Sequence, residues 1–357
     1  MKVLLTHELF LPDHPIGGEL AVYEIARRLK ERGIEITVLT TGNPKIKEYK
    51  GIPTIRIPVH RYMMNLALPF ILKYAKKVDL IQTNNYNACF PSWVAAKILK
   101  KPVVCIVHGM YGNGWIEMRG HILGRISKIV EKIQIIPSYD KVIFLSEYAR
   151  REGIKQGVKP ERTEVLLPGL LKKVSYKKTK KEPFVLFVGR IAKQKGIDYL
   201  IEAARKLPEI KFVVVGKGEE ERRIKSISPE NVEFLGFVSD EKLAELYSKA
   251  LVFCLPSVGE GFGFVLLEAM ASGCAIVSTV PLDFYGMHVK FGNVEELANS
   301  IKCLIENKEK ARKMGKKNKE KVRVYDWDVF INRLIEIYKE VLQKKLSINS
   351  KISFLRL

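Results

Sequence analysis

Residues 184–207 read FVLFVGRIAKQKGIDYLIEAARKL. An unbroken apolar run ends at Gly189, a basic loop follows to Gly196, and a helical stretch comes next. A short apolar run bounded by glycine, followed at once by a helix, is the opening of a βα unit. The same alternation continues downstream. Strands are predicted at KFVVVG (211–216), VEFLG, VFCLP and AIVST, with helices at DEKLAELYSKA and at FVLLEAMAS. A last amphipathic helix is expected to begin near Tyr325-Asp326-Trp327. Strands alternating with helices imply a parallel sheet covered on both faces.

Upstream, the pattern occurs a first time. Lys2–Thr6 reads as a strand, followed by a loop reaching Gly17-Gly18 and a helix over ELAVYEIARRLKER that stops at Gly33. ITVLT (36–40), TIRIP, DLIQT, PVVCIVH and KVIFLS are further candidate strands. The fold class read from this is α/β, two doubly wound Rossmann-like domains with a ligand cleft where the strands' carboxyl ends face each other. The expected boundaries are 1–168 for the first domain, 169–183 for a basic linker and 184–325 for the second. A helix over 326–345 would pack back towards the first domain, leaving a tail at 346–357.

The chain has 357 residues, 47% of them hydrophobic and 28% charged, a globular profile with room for two domains. No apolar run is long enough for a membrane-spanning helix, and the N-terminus lacks the pattern of a signal peptide. A cytoplasmic protein is expected. Cys89, Cys105, Cys254, Cys274 and Cys303 are odd in number and lack zinc-ligand spacing, so they read as small buried hydrophobes in a reducing compartment. The excess of 61 basic over 39 acidic residues gives a net charge of +22 and suggests an anionic partner. No zinc-finger or RNP signature accompanies it, so nucleic acid is not the expected partner. Abundant Lys and Glu with few Gln also fits a protein from a hot environment.

Two constellations carry the chemistry. The first is Glu260-Gly261-Phe262-Gly263, ahead of a helix starting at about Phe264 and bearing Glu268. Gly261 and Gly263 allow backbone N–H groups to approach an anion at a helix N-terminus. Glu260 and Glu268, eight residues apart, can both be directed towards a cleft, where ionised carboxylates accept from hydroxyl groups. The second is Gly189-Arg190-Ile191-Ala192-Lys193-Gln194-Lys195-Gly196, in which Gly189 is expected to permit a tight turn. Arg190 and Lys195 bracket this loop and offer two positive charges to a pyrophosphate.

Together these motifs resemble the family 4 glycosyltransferases, a retaining group with the GT-B fold. The resemblance extends over nearly the whole chain: the early Gly-Gly loop and its helix, G-R-x-x-x-x-K-G, V-V-V-G-x-G, G-F-V-S-D-x-x-L-x-x-L-Y, and E-G-F-G-x-x-x-x-E-A-M-A-x-G. It implies a hexosyltransferase moving a sugar from a nucleotide diphosphate donor, UDP- or GDP-linked, to an acceptor hydroxyl, with no metal and no other cofactor. Arg190 and Lys195 would hold the pyrophosphate in place of a metal, and no Asp-x-Asp motif is present. Glu268 would bind the ribose and Glu260 the sugar, with the backbone of Gly261, Phe262 and Gly263 near sugar and phosphate. Val238 matches the stretch whose backbone reads the base. Gly17 and Gly18 match the loop near donor phosphate and acceptor. His108, at the end of Cys105-Ile106-Val107-His108-Gly109, matches the active-site histidine. A front-face substitution is implied, with domain closure excluding water.

Two departures stand out. Leu167-Pro168-Gly169-Leu170-Leu171 replaces an Asn-Gly-Val-Asp-like turn, and VPLDFYGMHVKFGNVEEL after Thr279 shortens a Gly-Gly-x-x-Glu segment on the sugar side. The acceptor is not specified: a glycan, a lipid-linked molecule or a small molecule all fit. HRYMMNLALPFILKYAKK (60–77) and GMYGNGWIEMRGHILGRISKIVEKIQ (109–134) mix apolar and basic residues. One reading is a surface for an anionic membrane, placing the protein peripherally on its inner face. The other is buried helices whose lysines snorkel. Pro69 is expected to break the first stretch into a loop and a shorter helix. Rival functions are a basic nucleic-acid-binding protein, a catalytically silent sugar-nucleotide-binding protein and an epimerase. A nicotinamide dehydrogenase is disfavoured because no G-x-G-x-x-G follows Lys2–Thr6.

Overall fold

The computed structural model describes residues 1–13, 17–172 and 179–354, with side chains described as far as Ser347. The described chain divides into two compact units: 1–112 with 125–171 and 326–357, and 113–124 with 172–325. The short segment 113–124 thus groups with the second unit, where a single cut at 168 had placed it in the first. Of the expected linker, residues 173–178 lie outside the described residues.

In chain order, the elements up to the end of the first sheet are β1 (Lys2–Thr6), α1 (Gly17–Glu31), β2 (Glu35–Thr41), β3 (Glu48–Tyr49), β4 (Ile52–Ile57), a 3-10 turn (Arg61–Ala67), α2 (Leu68–Ala75), β5 (Leu80–Asn84), α3 (Cys89–Ile98), β6 (Val103–Val107), α4 (Gly114–Arg119, in the segment that groups with the second unit), α5 (His121–Ile135), β7 (Lys141–Phe144), α6 (Glu147–Gln156) and β8 (Thr163–Val165). The strands lie in the order β3-β4-β2-β1-β5-β6-β7-β8, and every pair is parallel except β3 with β4. Sequence order turns back between β1 and β5, which makes their carboxyl ends the switch point of this sheet. β5 and β6 are buried along their whole length, as a parallel sheet covered on both faces requires.

The second unit continues with β9 (Glu182–Val188), α7 (Ile197–Lys206), β10 (Lys211–Val215), α8 (Glu221–Ile227), β11 (Val232–Gly236), α9 (Asp240–Lys249), β12 (Ala250–Leu255), α10 (Phe264–Ala271), β13 (Ala275–Ser278), β14 (Gly286–His288), α11 (Val294–Glu306) and α12 (Lys308–Lys321). Its parallel order, β11-β10-β9-β12-β13-β14, turns back between β9 and β12. The loops carrying the two sequence constellations, after β9 and after β12, therefore flank one switch point.

The final helix, α13 (Trp327–Phe354), belongs to the first unit and runs past the expected end at 345, since no Gly or Pro interrupts LSINSKISF. Its Asp328 pairs with Arg28 and Arg32 of α1, and the Tyr338 hydroxyl donates to Gln82 of β5. Trp327 explains the departure at Leu167–Leu171. Its Nε1–H donates to the Leu170 carbonyl at 2.9 Å, and its ring occupies the space a Cβ on Gly169 would need. Among the described residues, no helix is long and apolar enough to cross a membrane.

Candidate functional site

The loop after β9 owes its shape to Gly196. Its φ is +67°, and an added Cβ would sit 1.9 Å from the Pro256 carbonyl oxygen, so no other residue fits without displacing the loop after β12. The Val258 N–H donates to the Gln194 carbonyl at 3.0 Å and ties the two loops together. At Gly189, expected to permit a tight turn, the chain bends directly after β9 without demanding a glycine. This residue is not in the left-handed region, and a Cβ there would meet only the Phe187 ring at 3.5 Å.

This geometry brings Lys195 onto Glu260. The ammonium lies 2.7 Å from both carboxylate oxygens, and the Ser257 hydroxyl donates to one of them at 2.6 Å. The pair is mostly shielded, with the two side chains 21% and 9% exposed. In contrast, Arg190 stands 42% exposed, in a loose 3.8 Å pair with Glu219. One cation is held by its neighbour and the other extends into solvent.

Past Glu260 the chain turns through Gly261 and Phe262, whose buried ring packs edge-on against Phe264 and tilted against Tyr325. Gly263, at φ +86°, caps α10 without a side-chain hydrogen bond. The first amides of such a helix have no intrahelical acceptor and suit an anion. α10 is buried nearly all round, from Leu266 to Ala271, yet carries Glu268. Its carboxylate accepts from the Tyr247 hydroxyl at 2.9 Å. Burial pushes the Glu268 pKa up to about 7 from an ordinary 4.5. Glu260 and Glu268 are thus held by different partners. Val238 lies half-buried just beyond the carboxyl end of the edge strand β11.

In the first unit, Gly17 and Gly18 form the opening turn of α1 and not the preceding loop. His108 is where the sequence put it, at the carboxyl end of β6, and is buried. Its Nε2 lies 3.1 Å from Asn84 Oδ1, and its backbone N–H donates to Asn85 Oδ1 at 2.8 Å. With Nε2–H as the donor, Nδ1 is left as an acceptor, and it has no partner among the described residues. Burial, then the neighbouring His7, lowers the His108 pKa to about 3, so the ring is neutral at physiological pH. His7 is lowered likewise, by burial and by Arg61.

Both histidines have folded pKa values below the ordinary 6.5. Their contribution to stability is therefore present above 6.5 and lost as pH falls towards 3, at up to about 1.4 kcal/mol per histidine per pH unit. Urea unfolding at pH 7 and pH 5.5 is expected to show this loss in the wild type and a smaller one in His108→Gln. An equal loss in both would remove His108 as a source.

Several residues at this switch point escaped the sequence reading. Glu8, just after β1, is buried, accepts from the Arg61 guanidinium and accepts from the backbone and side-chain amides of Asn87. Asn87 Oδ1 in turn accepts from Gln134 of α5 at 3.3 Å. The local signal was the polar run TNNYN directly after an apolar strand.

The two long sequence stretches differ in outcome. In the first, Met64, Ala67 and Ile71 are buried while Tyr62, Met63, Leu66 and Phe70 are exposed. Pro69 lies in the first turn of α2, where the stretch divides as expected, into a 3-10 turn in place of a loop and a shorter helix. In the second, the isoleucines of α5 other than Ile135 are exposed, against the buried-helix reading. The five cysteines are free thiols, four of them buried.

Comparison with known proteins covers most of the chain. Residues 16–170 match Glycosyltransferase Family 4, and residues 171–321 match Glycosyl transferases group 1. An uncharacterised glycosyltransferase of Methanocaldococcus jannaschii is 27% identical over 96% of this chain and 99% of its own. The sucrose-phosphate synthase of Thermosynechococcus elongatus has a similar structure, with a TM-score of 0.80 at 22% identity over 96% of this chain and 99% of its own. The Anabaena protein HepE, solved in complex with UDP-glucose, gives 0.71 at 21% identity over 97% and 100%.

Proposed function

The chain belongs to the family 4, group 1 glycosyltransferases, and from that premise we propose a retaining transfer of a hexose from a nucleotide diphosphate sugar, without a metal ion. The observation that carries this reading is the Lys195–Glu260 pair at the β9/β12 switch point, beside the uncapped start of α10. A diphosphate arriving there meets Lys195, Arg190 and the amides following Gly261, Phe262 and Gly263. It draws the Lys195 ammonium towards phosphate and leaves Glu260 as an acceptor for sugar hydroxyls. Glu268, ionised, takes the ribose hydroxyls, and the backbone at Val238 meets the base. The Anabaena protein's ligand makes uridine the first base to test, with guanosine second. In the first unit, the Nδ1 of the neutral His108 ring, without a partner among the described residues, suits a sugar hydroxyl, and Gly17-Gly18 lie in the first turn of α1, where amides lack an intrahelical acceptor and suit an anion or acceptor group.

The reaction is a front-face substitution. The C1–O bond to the diphosphate breaks, the acceptor oxygen bonds to C1 from the same face, and its proton passes to the departing phosphate oxygen. Lys195 and Arg190 stabilise the charge that develops on that oxygen, the role a metal plays elsewhere. The test is donor cleavage with UDP- and GDP-sugars in the presence of EDTA, followed by NMR of the anomer first formed. Cleavage without metal and with retained configuration is expected. Cleavage only on adding a divalent ion, or with inversion, would overturn the mechanism. Binding of the donor with no turnover in any acceptor screen would favour a silent binding protein.

A further inference from the structure

Helix α5 is amphipathic with its polar side turned inward. Of its seven apolar side chains between Ile122 and Ile135, only Ile135 is buried. Ile122, Ile126, Ile129 and Ile133 follow one another at spacings of four, three and four residues, forming a single stripe joined by Val130. These five side chains are 41% to 78% exposed. The face that packs on the protein instead carries Glu131 and Gln134, both buried. Glu131 accepts from the backbone N–H groups of Tyr111 and Gly112, each at 2.9 Å, and from Gln156 at 3.2 Å. Gln134 donates to Asn87. These hydrogen bonds fix the rotation of the helix, so the stripe cannot roll inward without leaving a buried carboxylate unpaired.

A water-facing stripe of branched aliphatics is an unusual thing for a soluble helix to keep, and its rim identifies what covers it. Arg125 and Lys132 are exposed beside the stripe, and Lys128 is half-buried. The helix's one acidic residue, Glu131, points inward. Its outer surface is therefore apolar and positive, with no negative charge. A second copy docked stripe to stripe about a two-fold axis would set this cationic rim against itself. An anionic lipid surface satisfies both parts, since acyl chains take the isoleucines and headgroups take the arginine and lysine.

We propose that α5 docks the protein on an anionic lipid bilayer, with the Ile122–Ile133 stripe in the headgroup–acyl boundary. From Arg125 onward the anchor helix belongs to the first unit and is tied to chemistry there. Glu131 holds the loop two residues beyond Gly109, and Gln134 holds Asn87, so α5 is bonded to the segments that follow β5 and β6. The inference is independent of the donor reading, because its residues are none of those assigned to the nucleotide.

The experiment is flotation of the full chain with phosphatidylglycerol-rich vesicles and with phosphatidylcholine vesicles, at about 0.15 M salt, where the Debye length is about 8 Å. Wild type is compared with Ile126→Asp/Ile129→Asp/Ile133→Asp and with Arg125→Glu/Lys132→Glu. Light scattering after size exclusion reports the oligomeric state, and circular dichroism melting confirms folding. Wild type should float with phosphatidylglycerol vesicles, and the triple variant should bind at least ten-fold more weakly while melting as a folded protein. The charge-reversed variant should lose its preference for the anionic vesicles. Failure of wild type to float, or undiminished flotation of the triple variant, overturns the proposal. So does a wild-type dimer that the triple variant converts to monomer without any vesicle binding, which would assign the stripe to a second copy. Nucleotide titration of the triple variant separates this outcome from a failure of the donor reading.

Discussion

Replacing Lys195 with methionine is expected to lower the rate of donor cleavage by roughly 10²–10³-fold, or about 3–4 kcal/mol of transition-state stabilisation. The size follows from position. Lys195 is a mostly shielded cation, held by an ion pair at the switch point of the second sheet, where a departing diphosphate would gather charge. The same substitution should also cost stability, because it leaves the Glu260 carboxylate with only the Ser257 hydroxyl as a described donor. The two effects are separable. Adding Glu260→Gln to Lys195→Met removes the unpaired charge and should restore part of the urea midpoint without restoring cleavage. If the double variant recovered activity together with stability, the pair would be a structural ion pair and the cation would have no part in catalysis.

Substituting Glu268 is expected to move stability and binding in opposite directions. A carboxyl group whose folded pKa is raised from 4.5 to about 7 contributes fully below 4.5 and loses that contribution as pH rises through 7. At pH 8 the wild type therefore carries the cost of an ionised, buried carboxylate, up to about 3 kcal/mol. Glu268→Gln keeps an acceptor for the Tyr247 hydroxyl and carries no charge. It should be more stable than wild type at pH 8 and nearly equal to it at pH 4.5. Nucleotide affinity should nonetheless fall by roughly 10–100-fold, the worth of a hydrogen bond to a charged acceptor. In the wild type, affinity should also weaken as pH falls below 7 and the carboxylate is protonated. A variant no more stable at pH 8, or one binding nucleotide as well as wild type, would show that burial of Glu268 serves packing alone.

Much of this was readable from the chain. The two runs of the βα pattern gave both sheets, because buried parallel strands leave unbroken apolar runs such as Val103–Val107 and Phe184–Val188. The loops with Arg190, Lys195, Glu260 and Gly263 were visible because glycines and charges interrupt those runs at their ends. Contacts between distant residues were not visible. Nothing local joins Lys195 to Glu260 across 65 positions, or Glu8 to Asn87 across 79. Nor could composition tell that Gly196, and not Gly189, carries the steric demand, since that depends on where the Pro256 carbonyl lies. The buried-helix reading of α5 failed for a related reason. Hydrophobic periodicity locates an apolar face but assumes that it is the buried one. Here the amides of Tyr111 and Gly112 need a carboxylate, and that requirement turns Glu131 inward.

The central claim is that the second unit binds a nucleotide diphosphate through Glu268 and the basic loop, without a metal. Calorimetric titration of UDP, GDP and ADP in EDTA, into wild type and Glu268→Ala, tests it most directly. The account predicts that one of the three binds to wild type with the metal chelated and binds at least ten-fold more weakly to the variant. Absence of binding by all three, or equal affinity in the two proteins, would contradict it.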